Sequence, residues 1–174
     1  MLLWDKVAIV TGGTRGIGKA IVFELINNGA KVLFTYLKND EAAGMILDEI
    51  KELKGEAEAI KADSRDFNEA KKVVEETLNK FGALDILINN AGITKDKALM
   101  MMDPSEWQEV IDTNLTGYFN MARASIITMM KQKSGNIVNI SSVSGVVGLP
   151  RQINYSSAKA GIIGMTKSLA KEVA

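Results

Sequence analysis

Short apolar runs rich in β-branched residues alternate with longer segments of helical spacing along the whole chain, and few folds accept that rhythm. Val7-Ala8-Ile9-Val10 is the first run. Helical spacing follows from Gly16 to about Asn28, where Gly29 stops it. Lys31 to Tyr36 reads as the second strand. Asp40 to Leu53 reads as a helix with Ala43, Ile46, Leu47, Ile50 and Leu53 on one face. Ala57 to Ala62 is a third, weaker strand, and Phe67 to Phe81 a third helix ended by Gly82. Leu84 to Asn89 is the fourth strand. A long helix then starts with Asp103 as N-cap, Pro104 in its first turn and Glu106 facing back to the cap, and runs to about Lys131. Asn136 to Ser142 is the fifth strand, a loop with Gly145, Gly148 and Pro150 follows, and a last helix runs from about Asn154 to the end. Strands that are apolar on both faces and separated by helices predict an α/β protein with a doubly wound parallel sheet, and five strands in the usual order of the dinucleotide fold would run 3-2-1-4-5. Right-handed crossovers put the ligand at the carboxyl ends of the strands.

At 174 residues the chain is read as a single domain, residues 1–174. Its 21 basic and 21 acidic side chains cancel, so no net field draws it to nucleic acid or an anionic membrane. It has no cysteine and no histidine. Disulfides, thiolate and imidazole metal ligands, cysteine nucleophiles and the Ser-His-Asp triad are therefore excluded, and no metal site is expected. Protons must move on Tyr, Lys, Asp, Glu, Ser or water. No apolar stretch nears the ~18 residues of a spanning helix and no signal peptide is legible, so a cytoplasmic location is expected.

The turn after the first strand is Thr11-Gly12-Gly13-Thr14-Arg15-Gly16-Ile17-Gly18. Gly12 suits the tight turn, Gly16 a close approach of backbone to pyrophosphate, and Gly18 close packing of helix on sheet. The helix start offers free amides to phosphates. Thr14, Arg15 and Ile17, between these glycines, are counted with them as cofactor-binding positions. A plain strand-to-helix turn is the competing view, and position after the first strand favours the nucleotide. After the second strand no acid precedes Asp40, whereas Arg15 and Lys38 could both face a 2′-phosphate; NADP(H) is favoured over NAD(H). Tyr155 and Lys159 lie four apart at the start of the last helix, so phenol and ammonium can converge, and a nearby cation lowers a phenol's pKa. That makes a proton-transfer pair without histidine.

Thr11-Gly12-x-x-x-Gly16-x-Gly18, Asn89-Asn90-Ala91-Gly92, Ser142 and Tyr155-x-x-x-Lys159 together resemble the short-chain dehydrogenase/reductase family over the whole chain, with its Rossmann-like sheet. The runs from Asn89 and from Asn154 are similar to the subgroup that reduces 3-oxoacyl thioesters borne on acyl carrier protein, in fatty acid synthesis. The resemblance implies that Tyr155 donates a proton to the substrate carbonyl oxygen and that Lys159 lowers its pKa and bonds the nicotinamide ribose. It implies that Ser142 orients the carbonyl, with Ser141 the competitor, and that Asn114 holds a water relaying protons to Lys159. Asp63 would contact the adenine, or else cap the next helix. Asn90, Ala91 and Gly92 would line the cofactor path. Homo-oligomers, dimers or tetramers through the last two helices, are implied as well. Family members continue past the last helix into further strands and a substrate lid, so the chain is expected to be a C-terminally truncated member with an open edge on the fifth strand. Another short-chain carbonyl reductase or alcohol dehydrogenase is the alternative in the same class. A non-catalytic nucleotide-binding or self-associating module is the alternative outside it.

Overall fold

Period-two alternation sorts the central strands between two helical layers. The computed structural model describes residues 1–174. Strands β1 (Val7–Val10), β2 (Lys31–Tyr36), β3 (Ala57–Lys61), β4 (Ile86–Asn89) and β5 (Asn136–Asn139) form one parallel sheet in the order β3-β2-β1-β4-β5. On one face, Ala8, Val10, Val32 and Phe34 pack against Val22, Leu25 and Ile26 of α1 (Gly16–Asn27) and Ala43, Ile46 and Ile50 of α2 (Asp40–Glu52). On the other, Ile9, Leu33 and Leu87 pack against Ala70, Val73 and Val74 of α3 (Phe67–Phe81) and Met121, Ala122 and Met129 of α5 (Gly117–Gln132). Each of these side chains changes layer with its neighbour because successive Cβ atoms point to opposite faces of a strand.

Helix starts follow local chemistry. Asn39 caps α2 by accepting the Ala42 N–H at 2.9 Å, and Asp66 caps α3 through Asn68 and Glu69. The capping box of α4 (Pro104–Ile111) forms as its sequence requires, with the Glu106 carboxylate accepting the Asp103 N–H at 3.1 Å and the Asp103 carboxylate accepting the Ser105 N–H at 2.8 Å. Gly82 ends α3 at φ 80°.

Three departures from the sequence pattern bear on function. The long helix from Pro104 is interrupted by a wide π turn, Asp112–Thr116, between α4 and α5, and Asn114 sits inside it. β5 ends at Asn139 rather than Ser142, because Ile140 makes the last ladder bond, to the Asn89 carbonyl at 2.9 Å, and the chain then turns toward the last helix. The glycine-containing loop holds a short helix, α6 (Ser144–Val147), before α7 (Ile153–Glu172). The edge strands also differ from expectation: β3 is half-buried and β5 alternates exposed with half-buried, since neither edge is fully covered by helices. No helix is long and apolar enough to cross a membrane.

Candidate active site

The glycine turn is tied down from below and open above. Thr11 Oγ1 accepts the N–H groups of Asn90 and Ala91 at 2.9 and 3.0 Å. The Asn90 amide donates to the carbonyls of Thr11 and Gly12 at 2.9 and 3.2 Å. A Cβ on Gly18 would collide with the Gly12 carbonyl and lie 2.5 Å from Asn90 Nδ2, so α1 can approach the turn only through a glycine. Gly16, at φ +53°, has no neighbour within 4 Å of where a Cβ would stand. Arg15 at the N-cap of α1 makes no side-chain cap bond, unlike the caps of α2, α3 and α4. The first amides of α1 therefore face outward with their partial positive charge.

They face a cleft of about 700 Å³ at the carboxyl ends of β1, β2 and β4. Gly12, Thr14, Arg15, Gly16, Ile17, Gly18, Lys38, Asp63, Asn90, Ala91 and Gly92 all line it, so every expected cofactor position outside the last helix meets in one place. The sequence pattern did not single out Thr35 or Arg65, which line it too. Arg65 grips Asp63 through Nε at 2.9 Å and Nη2 at 2.5 Å and holds its carboxyl below the usual range. The cap of α3 is Asp66, not Asp63. Asp40, the first acid after β2, is bound to Lys61 at 3.0 Å and to the Tyr36 hydroxyl at 3.0 Å, and it does not line the cleft. Arg15 and Lys38 have no carboxylate partner.

Tyr155, Lys159, Ser142 and Asn114 lie outside the lining of this cleft, behind its Asn90–Ile93 end. Asn114, fully buried, accepts the Ile93 N–H at 2.9 Å and donates to the Ile93 carbonyl at 2.8 Å, so it clamps the segment leaving β4. Asn154, also fully buried, donates to the Lys95 carbonyl at 3.0 Å and accepts the Tyr155 N–H at 2.8 Å, tying the same segment to the start of α7. The serine loop sits on α7: a Cβ on Gly145 would lie 2.6 Å from the Lys159 carbonyl carbon. Ser141 donates its hydroxyl to the Lys159 carbonyl at 2.9 Å, whereas Ser142 Oγ accepts only the nearby Ser144 N–H, at 3.2 Å.

Lys159 is 3% exposed. Its ammonium donates to the Ile140 carbonyl at 2.6 Å and to the Tyr118 hydroxyl at 3.2 Å, and lies 5.6 Å from the Tyr155 ring centroid. Burial lowers its pKa to about 8. Burial, and then Tyr155, push the Tyr118 phenol well above its ordinary value. Asn89, Asn139 and Thr166 continue the polar string: Asn89 Nδ2 donates to Asn139 Oδ1 at 2.9 Å, and Asn139 Nδ2 to Thr166 Oγ1 at 2.9 Å. Tyr118 and Asn154 were missed in the sequence, though each had a signal: one stands four residues after Asn114 on the same helix, the other directly before Tyr155.

A buried cation beside a phenol, next to a glycine-cradled cleft, is chemically able to move a proton beside a bound anion. The sequence profile of the family described as short chain dehydrogenase matches residues 6–174. A 3-oxoacyl-[acyl-carrier-protein] reductase of Synechocystis sp. is 48% identical over 172 residues, covering 99% of this chain and 70% of that protein. The 3-oxoacyl-[acyl-carrier-protein] reductase FabG of Staphylococcus aureus is 47% identical over 169 residues, covering 97% and 69%. The protein of that name from Haemophilus influenzae is 45% identical over 171 residues, covering 97% and 68%. With the profile spanning nearly the whole chain and these identities, the chain belongs to the short-chain dehydrogenase family of oxidoreductases.

Proposed function

We propose that this chain carries the machinery of an NADPH-dependent reductase of 3-oxoacyl thioesters, with acyl carrier protein as the bearer of the acyl group. One observation carries the chemistry: Lys159 is a buried ammonium with no carboxylate partner, and it stands beside Tyr155. The substrate class is drawn from the names of the relatives. The cleft fits a dinucleotide: the open space above Gly16 and the uncapped start of α1 suit a pyrophosphate, with Gly12, Thr14, Ile17 and Gly18 around it. Asn90, Ala91 and Gly92 would flank its path toward α7, and Asp63 would meet its adenine. The preference for NADP(H) is supported by Arg15 and Lys38, unpaired cations on the lining, and by the diversion of Asp40 to Lys61 and Tyr36.

The bound nicotinamide would supply the hydride. Tyr155 gives its hydroxyl proton to the substrate carbonyl oxygen as charge develops there. Lys159 favours the resulting phenolate and bonds the ribose. Ser142, whose hydroxyl hydrogen is not committed to backbone as that of Ser141 is, donates to the same carbonyl oxygen. Asn114 clamps its segment through Ile93 and would hold the water that relays protons to Lys159.

NADPH oxidation with acetoacetyl-CoA tests the proposal. Tyr155→Phe is expected to lower kcat by about 10²–10⁴-fold while the variant still binds NADPH. Full activity in that variant would sink the chemistry, and equal or tighter binding of NADH than NADPH by the unmodified chain would sink the cofactor preference.

A further inference from the structure

The ammonium of Lys159 has a second phenol, and it is the closer one. Tyr118, 1% exposed on α5, presents its hydroxyl oxygen 3.2 Å from Lys159 Nζ and donates its own proton toward the Ile140 carbonyl at 3.3 Å. The Ile140 carbonyl also accepts from Lys159 Nζ at 2.6 Å. Amine, phenol and carbonyl thus form a closed triangle at the point where β5 ends. Two of the three ammonium protons are engaged on this side, and one is left for the side of Tyr155 and the cleft.

We propose that Tyr118 is a positioning residue for the Tyr155–Lys159 pair: its hydroxyl anchors the Lys159 ammonium from behind and keeps it charged in a site without a carboxylate. The proposal rests on the proton-transfer role given above to Tyr155 and Lys159. A fully buried ammonium tends to shed its proton, and an acceptor aimed at it opposes that tendency. The groups facing Lys159 are few. Tyr118 comes from α5, Tyr155 from α7 and the Ile140 carbonyl from the end of β5, and no acidic side chain reaches it. Tyr118 itself stays protonated throughout, since burial and Tyr155 both raise its pKa. It therefore acts as an acceptor of fixed charge and does not compete as a proton donor to substrate.

The test is Tyr118→Phe, which keeps the ring and removes only the hydroxyl. In the cofactor-free chain labelled with ¹³C,¹⁵N-lysine, the Lys159 Cε and Nζ signals are followed against pH and assigned with Lys159→Met. A midpoint near 8 is expected for the unmodified chain. In Tyr118→Phe it is expected to fall by about one pH unit, the size of a hydrogen bond to a charged group. The alkaline limb of kcat for acetoacetyl-CoA reduction is expected to fall by the same amount, with KM for NADPH little changed. An unshifted lysine midpoint overturns the proposal. Should the phenyl ring fail to seat, Tyr118→Met fills the space with a flexible side chain, also lacks the hydroxyl, and gives the same result. Tyr155→Phe separates the two proposals. If it stays active, the proton-transfer role fails. If it is inactive while Tyr118→Phe keeps the lysine midpoint of the unmodified chain, only the anchoring role fails.

Discussion

A buried ammonium without a counterion is a liability to the folded state, and Lys159 is one. Its pKa of about 8, against 10.5 for a free lysine, means that between those values the unfolded chain holds a proton the folded chain has released. Stability from this residue therefore rises with pH through that window, and the burden is greatest below pH 8. Lys159→Met is expected to stabilise the fold by about 1–3 kcal/mol at pH 7, a gain that shrinks toward pH 10, as read by urea denaturation at both values. Activity is expected to disappear in the same variant, the trade that a site held for chemistry makes against stability. At this scale the sequence was informative where one atom type in one place is required. Gly18 had to be a glycine because Gly12 and Asn90 leave no room for a Cβ, and the motif spacing reported that. Gly13 has no motif role of its own, yet a Cβ there would lie 2.5 Å from Phe34 Cβ. That contact joins the turn after β1 to β2 and has no local signature.

Helix ends sort by task among the elements. Asp66 and Asp103 close their helices on themselves, whereas α1 is left open toward the cleft. Asp66→Ala is expected to cost about 1 kcal/mol of stability and leave cofactor affinity unchanged. Arg15→Ala is expected to do the reverse, leaving the thermal midpoint in place and weakening NADPH about tenfold more than NADH, a loss of one charge-assisted bond to the 2′-phosphate. Thermal unfolding and equilibrium titration with both nucleotides separate the two. Elements with a single periodicity were legible almost residue for residue, α3 at Phe67–Phe81 and β2 at Lys31–Tyr36 among them. The short helix at Ser144–Val147 was not, because Ser-Gly-Val-Val has no amphipathic period and is seated by the fit of Gly145 on the α7 backbone. The last residues of the expected fifth strand failed for a related reason: Ile140, Ser141 and Ser142 have strand composition, but the bonds that hold Ile140 and Ser141 to Lys159 belong to the site.

For the whole molecule, the α/β class was legible in the alternation of strand and helix patterns and the sheet order in the dinucleotide fold they resemble, and how the backbone ties the proposed catalytic positions into the fold was not. Asn114, the start of α7 and Lys159 are tied in through Ile93, Lys95 and Ile140 backbone, which no side-chain pattern encodes. A groove of about 560 Å³ runs beside β5, lined by Ile126, Met129, Met130, Ile137, Leu169 and Val173. The wide turn at Asp112–Thr116 has a consequence of the same breadth. Buried residues Val110, Asn114, Tyr118 and Ala122 recur at every fourth position. A four-residue beat runs ahead of a 3.6-residue helix by about 40° each time, as a short calendar year runs ahead of the seasons. The extra residue in the turn is the intercalated day that restores the date. What this stretch transmits to the site is thus a count as much as a composition. Dropping one residue from it would turn α5 by about 100° against α4, and Tyr118 would point away from Lys159 with every amino-acid type around them unchanged.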